Sequence, residues 1–323
     1  MPRKSRAVQV GNTLENVIEL FQVTKRYGRK AALQDLSLNI PPGITGLLGP
    51  NGSGKSSLIK ALLGLVRVQS GSLSVLGHRL PDDVRIIRDL VGYMPEDDCH
   101  ISGLTGIESI HFMGQLSGLP KRECLRRAHE ILDFSDIGQE RYRAVETYST
   151  GMRQKLKFAQ TLVHDPQLLI FDEPTTGLDP GQRVAMLQRI ETLARKHGKS
   201  ILLSTHILPD VKDICDWIVI LAEGRVKAAD RLSNLLRPVT PGMRLRVLEN
   251  HEQLKLELKA MGWDVQLQDD GMLWVAGVTD EDCQAIWRAA DKTNVSILSL
   301  EPASNSLEQI FFNIVHETKH AAA

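Results

Sequence analysis

Apolar positions recur along this chain in two rhythms, and their order predicts alternating strands and helices. Residues 1–15 are polar and are expected to form a flexible N-terminus. Val17 to Val23 reads as a strand, Lys25 to Lys30 as a turn carrying Tyr27 and Gly28, and residues 33–39 (LQDLSLN) as a half-buried strand. Pro41-Pro42-Gly43 breaks the pattern, after which the apolar strand Ile44 to Leu48 runs into a glycine-rich loop and a helix from Lys55 to Leu65. From about Glu96 to His164 the period is mostly helical, interrupted at Leu119-Pro120 and by the polar stretch before Ser149. Beyond Pro166 come a buried strand, Leu168 to Phe171, and a helix with Val184, Leu187, Ile190 and Leu193 on one face and Gly198 as its stop. Ile201 to Ser204 and Trp217 to Leu221 are two further strands. This alternation implies a mainly parallel sheet covered on both faces.

Residues 238–242 (PVTPG) read as a linker that separates a domain at 16–237 from an accessory domain at 243–323. The second domain reads strand (243–248), helix (251–261), strand (264–268), strand (272–276), helix (280–290), strand (294–300). Asp270-Gly271 is placed as a hairpin turn and Thr279 to Asp282 as a capping box. The order is that of a ferredoxin-like split βαβ unit, and a last helix runs from Ser306 to Val315.

Composition narrows the setting. The 323 residues allow about two domains. Basic and acidic residues balance at 39 each, so no global field draws the chain toward nucleic acid, and no nucleic-acid partner is expected. The four cysteines, at 99, 124, 215 and 283, show no metal-ligand spacing and read as free thiols of a reducing compartment. The opening MPRKSRAVQVGN has no apolar stretch behind its basic residues and does not read as a secretory leader. The longest apolar runs, such as Trp217 to Ala222, fall far short of the roughly 20 residues that span a bilayer. Work at a membrane would need another chain to supply the spanning segments.

Chemistry concentrates at two places. Gly49-Pro50-Asn51-Gly52-Ser53-Gly54-Lys55-Ser56, followed by Ser57, has the spacing G-x-x-x-x-G-K-S between a strand and a helix. Its glycines let backbone N–H groups wrap phosphate oxygens, and the helix adds its positive end. Lys55 is expected to reach the β- and γ-phosphates of ATP and Ser56 to ligate Mg²⁺. The strand ending in Asp172-Glu173 delivers two carboxylates to the carboxyl edge of the sheet. Asp172 is placed to hold Mg²⁺ through water, and Glu173 to orient and polarise an attacking water.

With Ser149-Thr150-Gly151-Met152-Arg153-Gln154 added upstream of that strand, the chain resembles the ATP-binding cassette ATPases over roughly residues 16–236. The segment is similar to the family's signature, usually Leu-Ser-Gly-Gly-Gln, from which Tyr148, Thr150 and Met152 depart as exporter-type members often do. The resemblance implies a P-loop NTPase fold of α/β class, with a helical subdomain at about 96–164 and the small α+β domain following. It implies that Ser149 and Gly151 face the γ-phosphate held by another protomer, and that Asp179, in Gly177-Leu178-Asp179-Pro180, links the two sites. It also places His206 at the γ-phosphate and Tyr27 against adenine. Glu96 stands where the family usually has a glutamine near Mg²⁺, and it cannot donate the amide N–H that a glutamine would.

The implied protein is a cytoplasmic ATPase, peripheral at the inner face of a membrane. It would work as a homodimer or heterodimer and drive a separate integral-membrane permease, with Ile101, Leu104, Phe112 and Met113 as a docking groove. The alternative is a soluble cassette ATPase of translation or DNA maintenance. A single phosphate loop and the absence of sustained heptads between Lys55 and Asp172 weigh against it. The Lys121-Arg122 and Arg126-Arg127 cluster reads as a solvated helix face, and Trp217, Trp263, Trp274 and Trp287 as core residues.

Overall fold

The computed structural model describes residues 14–238, 241–268, 271–303 and 305–320. Two compact units divide the described residues: one holds those up to Arg231 and from Asn313 to His320, the other those within Leu232–Phe312. In chain order the first contains β1 (Ile18–Tyr27), β2 (Lys30–Ile40), β3 (Ile44–Leu48), α1 (Lys55–Leu62), β4 (Ser70–Val75), β5 (His78–Leu80), α2 (Val84–Leu90) and β6 (Val91–Met94). The helices α3 (Gly106–Leu116), α4 (Lys121–Phe134) and α5 (Thr150–Leu162) follow. The run β7 (Leu168–Asp172), α6 (Pro180–Arg195), β8 (Ser200–Ser204), α7 (Leu208–Ile214), β9 (Trp217–Ala222) and β10 (Arg225–Arg231) completes it.

The central sheet has the order β10-β9-β3-β8-β7-β6, with β3, β6, β7, β8 and β9 mutually parallel and β10 antiparallel on its edge. Its inner strands β3, β7 and β8 are buried at every position, as expected where helices cover both faces. The strands read at 17–23 and 33–39 do not join it. They form a second, antiparallel sheet of order β2-β1-β4-β5. β1 extends through the residues read as a turn, so Tyr27 pairs with Lys30 at the tip of a hairpin closed by Gly28 (φ 57°) and Arg29. Midway along β1, Gln22 takes φ 51° and the register shifts between Leu20 and Val23. That bulge resets the alternation, so Ile18, Leu20 and Val23 face the core while Phe21 is exposed.

Helical periodicity from 96 to 164 resolves into α3, α4 and α5, with Pro120 starting α4. Phe158 of α5 stacks between Phe134 of α4 (centroids 6.1 Å apart) and Phe171 of β7 (5.5 Å). This aromatic column fastens the helices to the central sheet, and deleting the fully buried Phe158 ring by alanine would cost about 3–5 kcal/mol. On α6 the buried face is Met186, Leu187, Ile190 and Leu193, whereas Val184 is 54% exposed. A strict three-residue spacing drifts backward around a 3.6-residue helix, which carries Val184 off the face. Arg127 also departs from a solvated reading: it turns inward and donates to the Val163 carbonyl at 3.1 Å.

The second unit contains α8 (Leu232–Leu235), β11 (Gly242–Val247), α9 (His251–Ala260), β12 (Asp264–Leu267), β13 (Leu273–Ala276), α10 (Cys283–Lys292) and β14 (Ile297–Pro302). It also holds the start of α11 (Leu307–His320). Its sheet has the order β12-β13-β11-β14, antiparallel throughout, which is the split βαβ arrangement. Leu245, Leu254, Leu258, Leu273, Val275 and Ile286 form its core. Asp270 of the expected hairpin turn lies outside the described residues. The carboxylate of Asp282 accepts from both the N–H and the hydroxyl of Thr279, which is one half of a capping box. Trp287 is 50% exposed on α10 and is not a core residue. Among the described residues no helix is long and apolar enough to cross a membrane.

Candidate functional site

β3 ends at Leu48 and α1 begins at Lys55, so Gly49 to Gly54 turn sharply between a buried strand and a helix N-terminus. Gly54 has φ 113°, and a Cβ there would lie 2.6 Å from the Ala32 carbonyl, so only glycine lets the hairpin of β1 and β2 lie against this loop. Lys55 Nζ folds back on the loop and donates to the carbonyls of Gly49 (2.6 Å) and Pro50 (3.4 Å). Burial depresses the Lys55 pKa, and Glu173, Asp172 and Glu96 oppose that shift. Those carboxylates therefore lie within electrostatic reach of one ammonium.

Asp172 closes β7 at 6% exposed, and burial raises its pKa, with Glu96 and Glu173 adding to the shift. Glu173 follows with φ 52°, a left-handed conformation that costs about 1–3 kcal/mol for a non-glycine residue and persists only where its surroundings hold it. Here its N–H donates to the Ser204 carbonyl (2.8 Å), and its own carbonyl accepts from Gln154 Nε2 of α5 (3.0 Å). Its carboxylate contacts His206 Nδ1 at 2.9 Å and accepts from the hydroxyls of Thr176 and Thr205 at 3.3 Å. The acid is thus fixed in place, while the His206 side chain is 66% exposed and its other ring nitrogen is available for a ligand.

A second constellation lies on the same chain. Ser149 caps α5 by accepting from the Met152 N–H (3.3 Å), and Asp179 caps α6 by accepting from the Gln182 N–H (2.8 Å). Both caps are exposed. They are neighbours, because Gly151 packs against the Gln182 side chain so closely that a Cβ would lie 2.3 Å from its Oε1. Tyr148, one of the departures from the usual signature, is 4% exposed and donates its hydroxyl to the Glu140 carbonyl (2.7 Å), which leaves the turn itself intact. Among the described residues no hydrogen bond joins either cap to the phosphate loop. Tyr27 stands apart as well, 46% exposed at the hairpin tip with Lys25 Nζ 4.8 Å from its ring centroid.

Two residues that the sequence reading passed over, Asp210 and Arg183, and one that it quoted only within the signature run, Gln154, tie these parts together. Asp210, buried at 1% exposed, accepts from the Thr175 hydroxyl (2.5 Å) and pairs with Arg183. It therefore links the segments after Glu173, Asp179 and His206. The signal was present, since Arg183 and Asp210 each lie four residues beyond a motif residue. Gln154 donates to the carbonyls of both Glu173 and Pro174, and no local pattern announces such a bond.

No group of three or more His, Cys, Asp or Glu is arranged to hold a metal ion among the described residues. Glu96 and Asp172 act electrostatically on Lys55, the neighbour of Ser56, and a hydroxyl and two carboxylates are oxygen donors of the kind that suits a hard cation keeping several waters.

A family model described as ABC transporter matches residues 33–176. ABC transporter ATP-binding protein YdbJ of Bacillus subtilis (strain 168) is 31% identical over 299 residues, 92% of this chain and 94% of that one. Nod factor export ATP-binding protein I of Sinorhizobium fredii (strain NBRC 101917 / NGR234) is 39% identical over 209 residues, covering 64% and 61%. Among solved structures, an ATP-binding subunit of an ABC transporter superposes with a TM-score of 0.62 at 33% identity, covering 68% of this chain and 91% of that one. A dimeric cassette, MJ0796 bound to ADP and Pi in a post-hydrolysis state, gives 0.61 at 25% identity, covering 67% and 98%. A phosphate loop facing a fixed glutamate, an exposed signature turn and a relative 31% identical over 92% of the chain lead to one assignment: the chain belongs to the ABC transporter ATP-binding proteins.

Proposed function

We propose that this chain is the ATP-hydrolysing subunit of an exporter and works as a head-to-tail pair of identical copies on a separate membrane permease. The observation that carries the reading is the division of the site. Asp172, Glu173 and Glu96 lie within electrostatic reach of Lys55, while the caps Ser149 and Asp179 are exposed and, among the described residues, make no hydrogen bond to the loop that carries that lysine. Both halves are present in one chain, so two copies related by a twofold axis complete two sites. Each ATP then lies between Lys55 of one copy and Ser149 of the other.

Ser56 and, through water, Asp172 would hold Mg²⁺, which would supply charge neutralisation at the phosphates. Glu96, within electrostatic reach of Asp172, would contribute to the same site. The remaining work belongs to the chain. Glu173 accepts the hydrogen bond of the attacking water and orients it in line with the γ-phosphate. His206, held by Glu173 at Nδ1, offers Nε2–H to a γ-phosphate oxygen when protonated. Tyr27 stacks on adenine, and Tyr27→Ala is expected to raise the KM for ATP about tenfold, at roughly 1–3 kcal/mol for a base on an aromatic ring, with kcat little changed. A rise in KM of less than twofold in steady-state assays would remove Tyr27 from the adenine site.

Export, as opposed to import, is supported by relatives named for Nod factor export and by the accessory domain after the cassette. The permease is taken to dock at Ile101, Leu104, Phe112 and Met113, of which Ile101 and Phe112 are each 38% exposed. On this reading the chain works at the cytoplasmic face of the membrane. The test is a pull-down of the Glu173→Gln protein, with ATP, from detergent-solubilised native membranes. A chain with several membrane spans should co-purify, and Phe112→Asp, at the more exposed of the two neighbouring positions, should release it while soluble ATPase activity stays within about twofold. Ribosomal or DNA-maintenance partners without a membrane protein would overturn the transport reading.

A further inference from the structure

Lys157 is an unusual place to find an ammonium group. It lies in the middle of α5 at 5% exposed, and among the described residues it forms no ion pair. Burying an unpaired charge costs several kcal/mol unless its donors are satisfied. All three are: Nζ donates to the carbonyls of Pro95 (3.0 Å), Glu96 (2.8 Å) and Asp97 (3.3 Å). Burial depresses its pKa, and the neighbouring Cys99, Asp98, Asp97 and Glu96 oppose the shift.

The contact does not stand alone. Arg153, one turn earlier on α5, pairs with Asp98 at 3.5 Å. Gln160, one turn later, accepts from Cys99 Sγ at 3.6 Å and donates to Ser109 of α3 at 2.9 Å. Positions 153, 157 and 160 follow the i, i+4, i+7 spacing of one helix face, and that face is given over to the loop from 95 to 99. The adjoining residue Gln154 holds the backbone of Glu173 and Pro174. One helix therefore begins at Ser149, grips the turn of the catalytic acid and carries the loop of Glu96.

We infer that Lys157 is a positioning residue that locks the Glu96 loop to the helix beginning at Ser149, so that a shift of Glu96 at the nucleotide is passed to Ser149 instead of being absorbed by the loop. The inference rests on the placement of Glu96 at the nucleotide proposed above. Without Lys157 the loop carbonyls turn to water, nucleotide still binds through Lys55 and Tyr27, and the hydrolytic arrangement forms less often.

The experiment is a double-mutant cycle on ATP turnover by the full chain: native, Lys157→Met, Glu96→Ala and both together. Lys157→Met is expected to lower kcat about tenfold with the KM for ATP within about twofold, and the double variant to be no slower than Glu96→Ala alone. Unchanged kcat in Lys157→Met, or two losses that multiply, would overturn the role of Lys157 while leaving Glu96 in place. Native turnover in Glu96→Ala would instead remove Glu96 from the nucleotide and the inference with it. If Lys157→Met does not fold, Lys157→Gln enters the same cycle with the same criteria.

Discussion

Glu173→Gln is expected to abolish steady-state ATP turnover while ATP stays bound. Glutamine keeps the size of the side chain, and its carbonyl oxygen can still accept from Thr176 or Thr205, so the left-handed turn at this residue survives. What is lost is the negative charge that accepts the proton of the attacking water. Removing a positioned general base lowers the rate by about two to four orders of magnitude. ATP affinity should be preserved or improved, because the amide does not repel the γ-phosphate as a carboxylate does. Single-turnover hydrolysis and equilibrium nucleotide binding, measured on the same preparation, separate the two effects. Turnover near the native rate would remove Glu173 as the activating residue.

Lys55→Ala should act on binding instead. The Lys55 ammonium is the cation at the centre of Glu173, Asp172 and Glu96, and burial already raises the Asp172 pKa. Taking it away removes the one lysine ammonium that stands between those carboxylates and the bound triphosphate, leaving the backbone N–H groups, the helix end, Mg²⁺ and His206 to offset the phosphate charge. Truncating one partner of a close, hydrogen-bonded charge pair costs about 2–5 kcal/mol, so ATP affinity should fall by roughly 30-fold to several thousand-fold. The loop itself should keep its shape, because Gly54 and the buried strand β3 set it. Titration calorimetry with ATP reads the change, and an affinity within threefold of native would show that the lysine does not reach the phosphates.

What the sequence made legible follows from how local each signal is. The phosphate loop, the acidic pair after β7 and the cap at Ser149 are runs of consecutive residues whose chemistry depends on their own backbone. The split βαβ order of the second unit was legible because its strands and helices are bounded by clear changes of period. The stretch from 66 to 95 carried no reading, since β4, β5 and β6 are three to six residues long and β4 begins with three exposed positions. The separate antiparallel sheet was hidden for a related reason: alternation marks a strand but not its partner. Lys157 and Gln154 were silent because their partners are backbone carbonyls 19 to 62 residues away. Trp287 was misread because size and apolarity do not say which face of α10 a residue occupies.

The account turns on a site shared between two copies of the chain, and mixing two inactive variants tests it most directly. In Lys55→Ala the phosphate side is disabled, and in Ser149→Arg the presented side is blocked. Each alone should be inactive. In a head-to-tail mixed dimer, one site receives both lesions and the other receives none, so ATP hydrolysis should reappear on mixing and peak near equal proportions. Mixtures no more active than their components, under conditions where the native chain turns over, would contradict a composite site and with it the proposed mode of action.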